Sequence, residues 1–210
     1  MDYTYLITKL PNTLIKLNIC EYMYNNIPLS LITKFSNLQE LELSLNPNKG
    51  FINFEELSYV SFTKLQILKF RYIQPNSRSL IRFIKNNGKN LKELCLIHKG
   101  GTSGTLNLAV SKFCTNLRKL SIGCKNDEFQ TLKLILKSCT YLKSIEIFCG
   151  SKFLSEKKAL ELIVKHSHEN TISEVILHHF YHEQSVKLLP KELESYIIRW
   201  ADYVPQRSLL

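Results

Sequence analysis

Apolar residues recur along this chain in one short phrase. An apolar residue is followed by a second three positions on and a third five positions on, with mainly polar residues between. The copies begin at Leu14, Leu38, Leu65, Leu91, Leu117, Leu142 and Ile172, so the steps are 24, 27, 26, 26, 25 and 30 residues. Leu91-Lys92-Glu93-Leu94-Cys95-Leu96 and Leu117-Arg118-Lys119-Leu120-Ser121-Ile122 are clear copies. The alternation in the second half of each phrase has period two and predicts a short strand with one buried face. The segments between have a helical period. Ser77 precedes Leu80, Phe83 and Ile84; Asp127 precedes Phe129, Leu132, Ile135 and Leu136; Ser155 precedes Ala159, Leu162 and Ile163. In each case a small polar residue stands where a helix N-cap is expected. Leu29 to Phe35, Phe54 to Phe62 and Leu106 to Phe113 are the other predicted helices.

A phrase of this form at a period of 20–29 residues resembles the leucine-rich repeat. The expected fold class is α/β: a horseshoe solenoid of about seven to eight strand–helix repeats. Its strands stack as a parallel concave sheet, and its helices cover the convex side. One domain over residues 1–210 accounts for the whole sequence. The Leu10-Pro11 pair invites comparison with the start of an F-box, but repeat phasing accounts for it. Leu189-Pro190 through Ile198 matches Leu10-Pro11 through Ile19 slot for slot. It reads as an eighth strand, with a helix from Glu192 to Trp200 as the competing reading. Both ends read as open repeats without polar caps, as in a piece of a longer protein or a chain completed by a partner.

In each strand the second and third residues of the phrase point into the core, and the residues between point outward. The outward positions form one wall, the surface on which a solenoid binds its partner. The candidate binding residues are Glu40, Glu42, Ile67, Lys69, Arg71, Glu93, Cys95, Ile97, Lys119, Ser121, Glu146, Phe148, Glu174 and Ile176. The wall is nearly neutral, because its basic and acidic residues balance. Its apolar members, Ile67, Ile97, Phe148, Ile176 and Ile197, are either covered by their neighbours or serve as protein-binding anchors.

The net charge is +10, from 28 Lys and Arg against 18 Asp and Glu. Since the wall is balanced, the excess lies on helices and loops, at Lys85, Lys89, Lys133, Lys137, Lys152, Lys157 and Lys158. Lysines scattered over a helical back read as a solvated surface. A basic nucleic-acid-binding surface is the lesser alternative. No apolar run reaches 18 residues and no secretory signal opens the chain, so a cytoplasmic or nuclear location is expected. Of the six cysteines, Cys114 and Cys139 share one repeat slot, and Cys124 and Cys149 share another. Phased in this way they read as buried thiols of the core.

No constellation of residues points to catalysis, a cofactor or a metal. His166, His168, His178, His179 and His182 are dense, but zinc needs three or four ligands converging on one point, and His166 and His168 end a helix. Cys95 at a central outward slot has His98 as its nearest predicted base, and His98 lies past the strand end. Gly100-Gly101-Thr102-Ser103-Gly104 lacks the ending of a phosphate-binding loop and reads as the turn out of the fourth strand.

Cys114 through Leu117, Leu120, Ile122 and Cys124, with its second copy Cys139 through Cys149, resembles the cysteine-containing subclass of leucine-rich repeats. That subclass is typical of F-box/leucine-rich-repeat proteins. The resemblance implies a domain that captures a substrate protein for ubiquitin-dependent degradation. In that family a separate F-box docks to a Skp1-type adaptor of a cullin ligase. No F-box precedes the first repeat here, so only substrate recognition carries over. A stand-alone repeat scaffold is the alternative.

Overall fold

Each phrase with its flanking residues forms a strand, because its alternating apolar residues need one buried side. The computed structural model describes residues 3–20, 28–44, 53–96, 101–150, 152–166, 172–179 and 189–203. The strands are β1 (Lys16–Cys20), β2 (Glu40–Ser44), β3 (Ile67–Arg71), β4 (Glu93–Leu96), β5 (Lys119–Gly123), β6 (Ser144–Cys149) and β7 (Glu174–His179). They lie side by side in chain order in one parallel sheet. The register is constant: Lys16, Glu40, Ile67, Glu93, Lys119, Ser144 and Glu174 form one row. The connections absorb the unequal steps of the sequence. At each strand entry two N–H groups share one carbonyl of the preceding phrase. Lys92 and Glu93 donate to Gln66 at 2.7 and 3.0 Å, and Arg118 and Lys119 donate to Lys92 at 2.7 and 3.0 Å.

Helices alternate with the strands: α1 (Tyr3–Lys9), α2 (Phe54–Ser58), α3 (Ser77–Asn87), α4 (Gly104–Phe113), α5 (Phe129–Ser138), α6 (Glu156–His166) and α7 (Pro190–Tyr203), with a 3-10 segment at Leu29–Lys34. Leu80, Phe83 and Ile84 of α3 and Leu132, Ile135 and Leu136 of α5 are wholly buried against Leu68, Leu94 and Leu120 of the strands. The caps differ in part from expectation. Asn76, not Ser77, caps α3, accepting from the Ser79 N–H at 2.9 Å. Asp127 caps nothing, since a 3-10 turn at Asn126–Glu128 leads into α5. Its neighbour Glu128 instead accepts from the Gly104 N–H at 2.8 Å, placing a carboxylate at the positive end of α4. Ser155 does cap α6, through the Lys158 N–H at 3.3 Å. Of the glycine-rich stretch, Gly100 lies outside the described residues, and Gly101-Thr102-Ser103 lead into α4. Gly101 has a φ of 70°, and a Cβ there would meet the Phe153 ring at 2.3 Å.

Phe54, Phe62, Phe70 and Phe83 join successive repeats by ring contacts with centroids 5.7 to 6.1 Å apart. Beside them the amide of buried Asn87 accepts from the Phe62 N–H at 2.6 Å and donates to the carbonyls of Val60 at 2.9 Å and Phe83 at 3.0 Å. Cys114, Cys124, Cys139 and Cys149 have no exposed surface, and all are free thiols.

The eighth phrase is not a strand. Residues 190–203 form α7, which packs on α6 through Tyr196, Leu160 and Val164. Two local features favour the helix. Pro190 stands at its first position, where a missing N–H costs nothing. Glu192 folds back to accept from the Leu189 N–H at 3.2 Å. The Tyr196 hydroxyl donates to Glu161 at 3.0 Å, and Lys157 pairs with Glu192 at 2.9 Å.

Candidate functional site: the outward face of the sheet

Constant register turns the outward residues into rows. One row is Lys16, Glu40, Ile67, Glu93, Lys119, Ser144, Glu174; the next is Asn18, Glu42, Lys69, Cys95, Ser121, Glu146, Ile176. All the candidate residues but Ile97, which lies outside the described residues, are brought to this one face. Each carboxylate on it is engaged by a neighbouring strand. Lys16 meets Glu40 at 3.0 Å, Arg71 meets Glu42 at 2.5 Å, and Lys69 meets Glu93 at 2.9 Å. Ser121 donates to Glu146 at 2.5 Å, and the Ser144 hydroxyl donates to Glu174. Lys119 forms no ion pair among the described residues.

These contacts shift the cations. Burial works to lower the Lys69 pKa, but the hydrogen bond to Glu93 and the charges of Glu93, Glu40 and Glu42 outweigh it and raise it. The hydrogen bond to Glu42 raises that of Arg71. Exposed pairs of this kind contribute about 0.2–1 kcal/mol each. The pairs therefore organise the surface more than they stabilise the fold.

The middle of the face is less exposed than alternation alone predicts. Cys95 is 6% exposed, Ser121 2% and Phe148 7%. The His178 ring stacks on Phe148 with centroids 5.1 Å apart, and its Nε2 lies 2.6 Å from Glu146. Phe148 is thus a support beneath His178 and not a free anchor. Ile67 and Ile176 are half-buried on the face, whereas Ile197 projects from α7, away from the strand rows.

A polar line runs across the centre. Cys95 stands beside Ser121 in the row, Ser121 donates to Glu146, and Glu146 meets His178. The carboxylate stands between hydroxyl and imidazole, so the imidazole does not touch the hydroxyl it would have to activate. Burial pushes the Cys95 thiol up to about 11, away from a nucleophilic thiolate. His178 and His179 point to opposite sides of β7, His179 meeting Glu156 at 2.5 Å. His98, His168 and His182 lie outside the described residues, and no metal-holding group of His, Cys, Asp or Glu occurs among the described ones. None of the described helices is long and apolar enough to cross a membrane.

Sequence reasoning missed the turns before the strands. Asn90 and Asn116, each just ahead of its phrase, donate to the carbonyls of Thr63 at 3.0 Å and Lys89 at 2.8 Å in the preceding turn. Lys64 fills the equivalent slot and donates to Asn37 at 2.7 Å. Recurrence of Asn before the leading leucine was the available signal.

The fold and its face define an open α/β protein with, among the described residues, seven parallel strands in chain order and an ion-paired outward surface. No family model matches the chain, and no curated protein matches it in sequence.

Proposed function

We propose that this chain is a leucine-rich-repeat solenoid whose outward sheet face is the concave wall of a horseshoe and binds a protein partner. The observation that carries this reading is the single in-register parallel sheet built from steps of 24 to 30 residues. Three of its outward cations, Lys16, Lys69 and Arg71, are paired with outward carboxylates and so hold a fixed pattern. Half-buried Ile67 and Ile176 supply apolar anchors, and the surrounding ion pairs supply the polar rim that protein interfaces favour. The buried cysteine slots agree with the cysteine-containing repeat subclass. The partner class proposed on that resemblance is a substrate protein of a ubiquitin ligase. A stand-alone repeat scaffold is the second member of the same reading.

The test is affinity capture from cell extract with the tagged full chain, followed by mass spectrometry. The parallel bait carries Lys69→Glu, Glu93→Lys and Arg71→Ala. The first two changes exchange the ends of an existing ion pair, so the face pattern is reversed while the pair can re-form. A partner held by the unaltered chain and lost by the variant supports the reading. Co-capture of Skp1-type and cullin subunits supports the ligase form of it, and their absence beside another partner supports the scaffold form. Equal capture of every partner by both baits contradicts it.

A further inference from the structure

The excess positive charge is not scattered. Between positions 57 and 145 the only acidic residues are Glu93, Asp127 and Glu128. Glu93 is paired with Lys69, while Asp127 and Glu128 lie at a strand-to-helix connection. The opposite edge, where helices end and strands begin, carries Lys64, Lys89, Lys92, Arg118 and Lys143, all exposed and without an ion pair among the described residues. Lys85, Lys112 and Lys137 in the last turns of α3, α4 and α5 stand at the same edge. Cations in a last helical turn are explained by the helix dipole. That does not explain Lys64, Lys92, Arg118 and Lys143, which lie beyond the helices.

Four consecutive turns enclose a recess of about 360 Å³ along this edge. Its cations are Lys64, Lys89, Lys92 and Arg118, interleaved with the amides of Gln66, Asn90 and Asn116 and ending at Tyr141. The Tyr141 side chain is 61% exposed. At a strand spacing of about 4.8 Å the row of turns is about 14 Å long. We propose that this edge is a binding site for single-stranded nucleic acid. The cations track the phosphates, and the Tyr141 ring offers a stacking platform for one base.

The chemistry separates this occupant from others. A protein partner seeks a central apolar anchor, and the recess has none apart from the Tyr141 ring. Cations with polar amides are the composition of a nucleic-acid interface. A duplex keeps its base faces inside the stack, so Tyr141 finds a partner only in a single strand. The site lies on the edge of the sheet and leaves the outward face free, so it adds to the protein-binding reading and does not depend on it.

Fluorescence polarisation with labelled 20-nucleotide oligo(rU) and oligo(dT), a 20-base-pair duplex and polyglutamate as competitor tests the proposal. The full chain is expected to bind one or both single strands better than the duplex. Neutralising about four phosphates gives a log K against log salt slope of about −3. The variant Lys64→Glu/Lys92→Glu/Arg118→Glu, checked for folding by circular dichroism, loses binding at least tenfold. A charge-matched control, Lys125→Glu/Lys133→Glu/Lys152→Glu, binds within about threefold of the unaltered chain. Tyr141→Ala weakens binding about tenfold without changing the salt slope, and it reports on the site even if the triple variant does not fold. The face variant Lys69→Glu/Glu93→Lys binds normally, which separates this site from the protein-binding one. Absent binding, equal loss in both triple variants, displacement by polyglutamate as effective as by oligo(rU), or no effect of Tyr141→Ala overturns the proposal.

Discussion

At the residue scale, the polar side chains that hold the repeats together are as informative as the leucines. Asn87 ties three backbone groups of two successive repeats together. Asn87→Ala leaves the Phe62 N–H and the Val60 carbonyl without that partner. The variant should be about 2–4 kcal/mol less stable in urea unfolding; a change under about 0.5 kcal/mol would mean that water or another group takes its place. The thiols give a second prediction. Desolvation raises Cys95 to about 11 and Cys124, Cys139 and Cys149 to about 12, and it raises Cys114 as well. Cys20 is the exposed thiol. Alkylation of the native chain near neutral pH should therefore label Cys20 quickly and the other five only on unfolding. Fast modification of any of those five would contradict their placement. The leucines and the phased cysteines were legible in the sequence because burial imposes a period. Asn87 was not, because its partners at Val60 and Phe62 stand 27 and 25 residues away, in a stretch that reads as the end of a helix and gives no sign that its backbone groups need a side-chain partner.

At the element scale the strands were legible and the last helix was contested. All seven phrases became strands, since the alternation of Leu94 with Leu96, or Leu120 with Ile122, has one buried solution. Residues 190–203 carry the same spacing of apolar residues, yet they form α7. The decisive features were Pro190, the backward reach of Glu192 and the packing of Tyr196 on α6. α7 has a pH dependence of its own. The hydrogen bond from Lys157, followed by that from the Leu189 N–H, lowers the Glu192 pKa from 4.5. A carboxylate lowered on folding stabilises above its unfolded pKa and loses that contribution as pH falls through the folded value. Hydrogen exchange at the α7 amides should therefore quicken below about pH 4.5 before exchange in the sheet and remaining helices does. Coincident quickening in both would show that α7 does not loosen separately.

At the scale of the whole molecule, charge is arranged by edge and by face. Helix starts hold Glu55, Glu56 and Glu156, with Asp127 and Glu128 in the turn before α5. The opposite edge holds Lys64, Lys89, Lys92, Arg118 and Lys143, which form no ion pair among the described residues, and the sheet face between them is charge-balanced. Composition showed the +10, but only the stacking of equivalent turns shows where it collects. The face itself should behave as a pattern on a stable scaffold. Lys69→Glu alone places two carboxylates together and should cost up to about 1 kcal/mol. Adding Glu93→Lys should recover most of that loss, as a double-mutant cycle in thermal unfolding would show. Simple addition of the two single effects would mean that the pair is not formed in solution.

The most direct test of the central claim, that the outward sheet face receives the protein partner, is site-specific photo-crosslinking in cell extract. A crosslinking residue would be placed in turn at Ile67, Lys119 and Ile176 on the face, and at Leu134 on the exposed side of α5. The account predicts one shared partner band from the three face positions and none of it from Leu134. The same band from Leu134 alone, with nothing from the face, would contradict it.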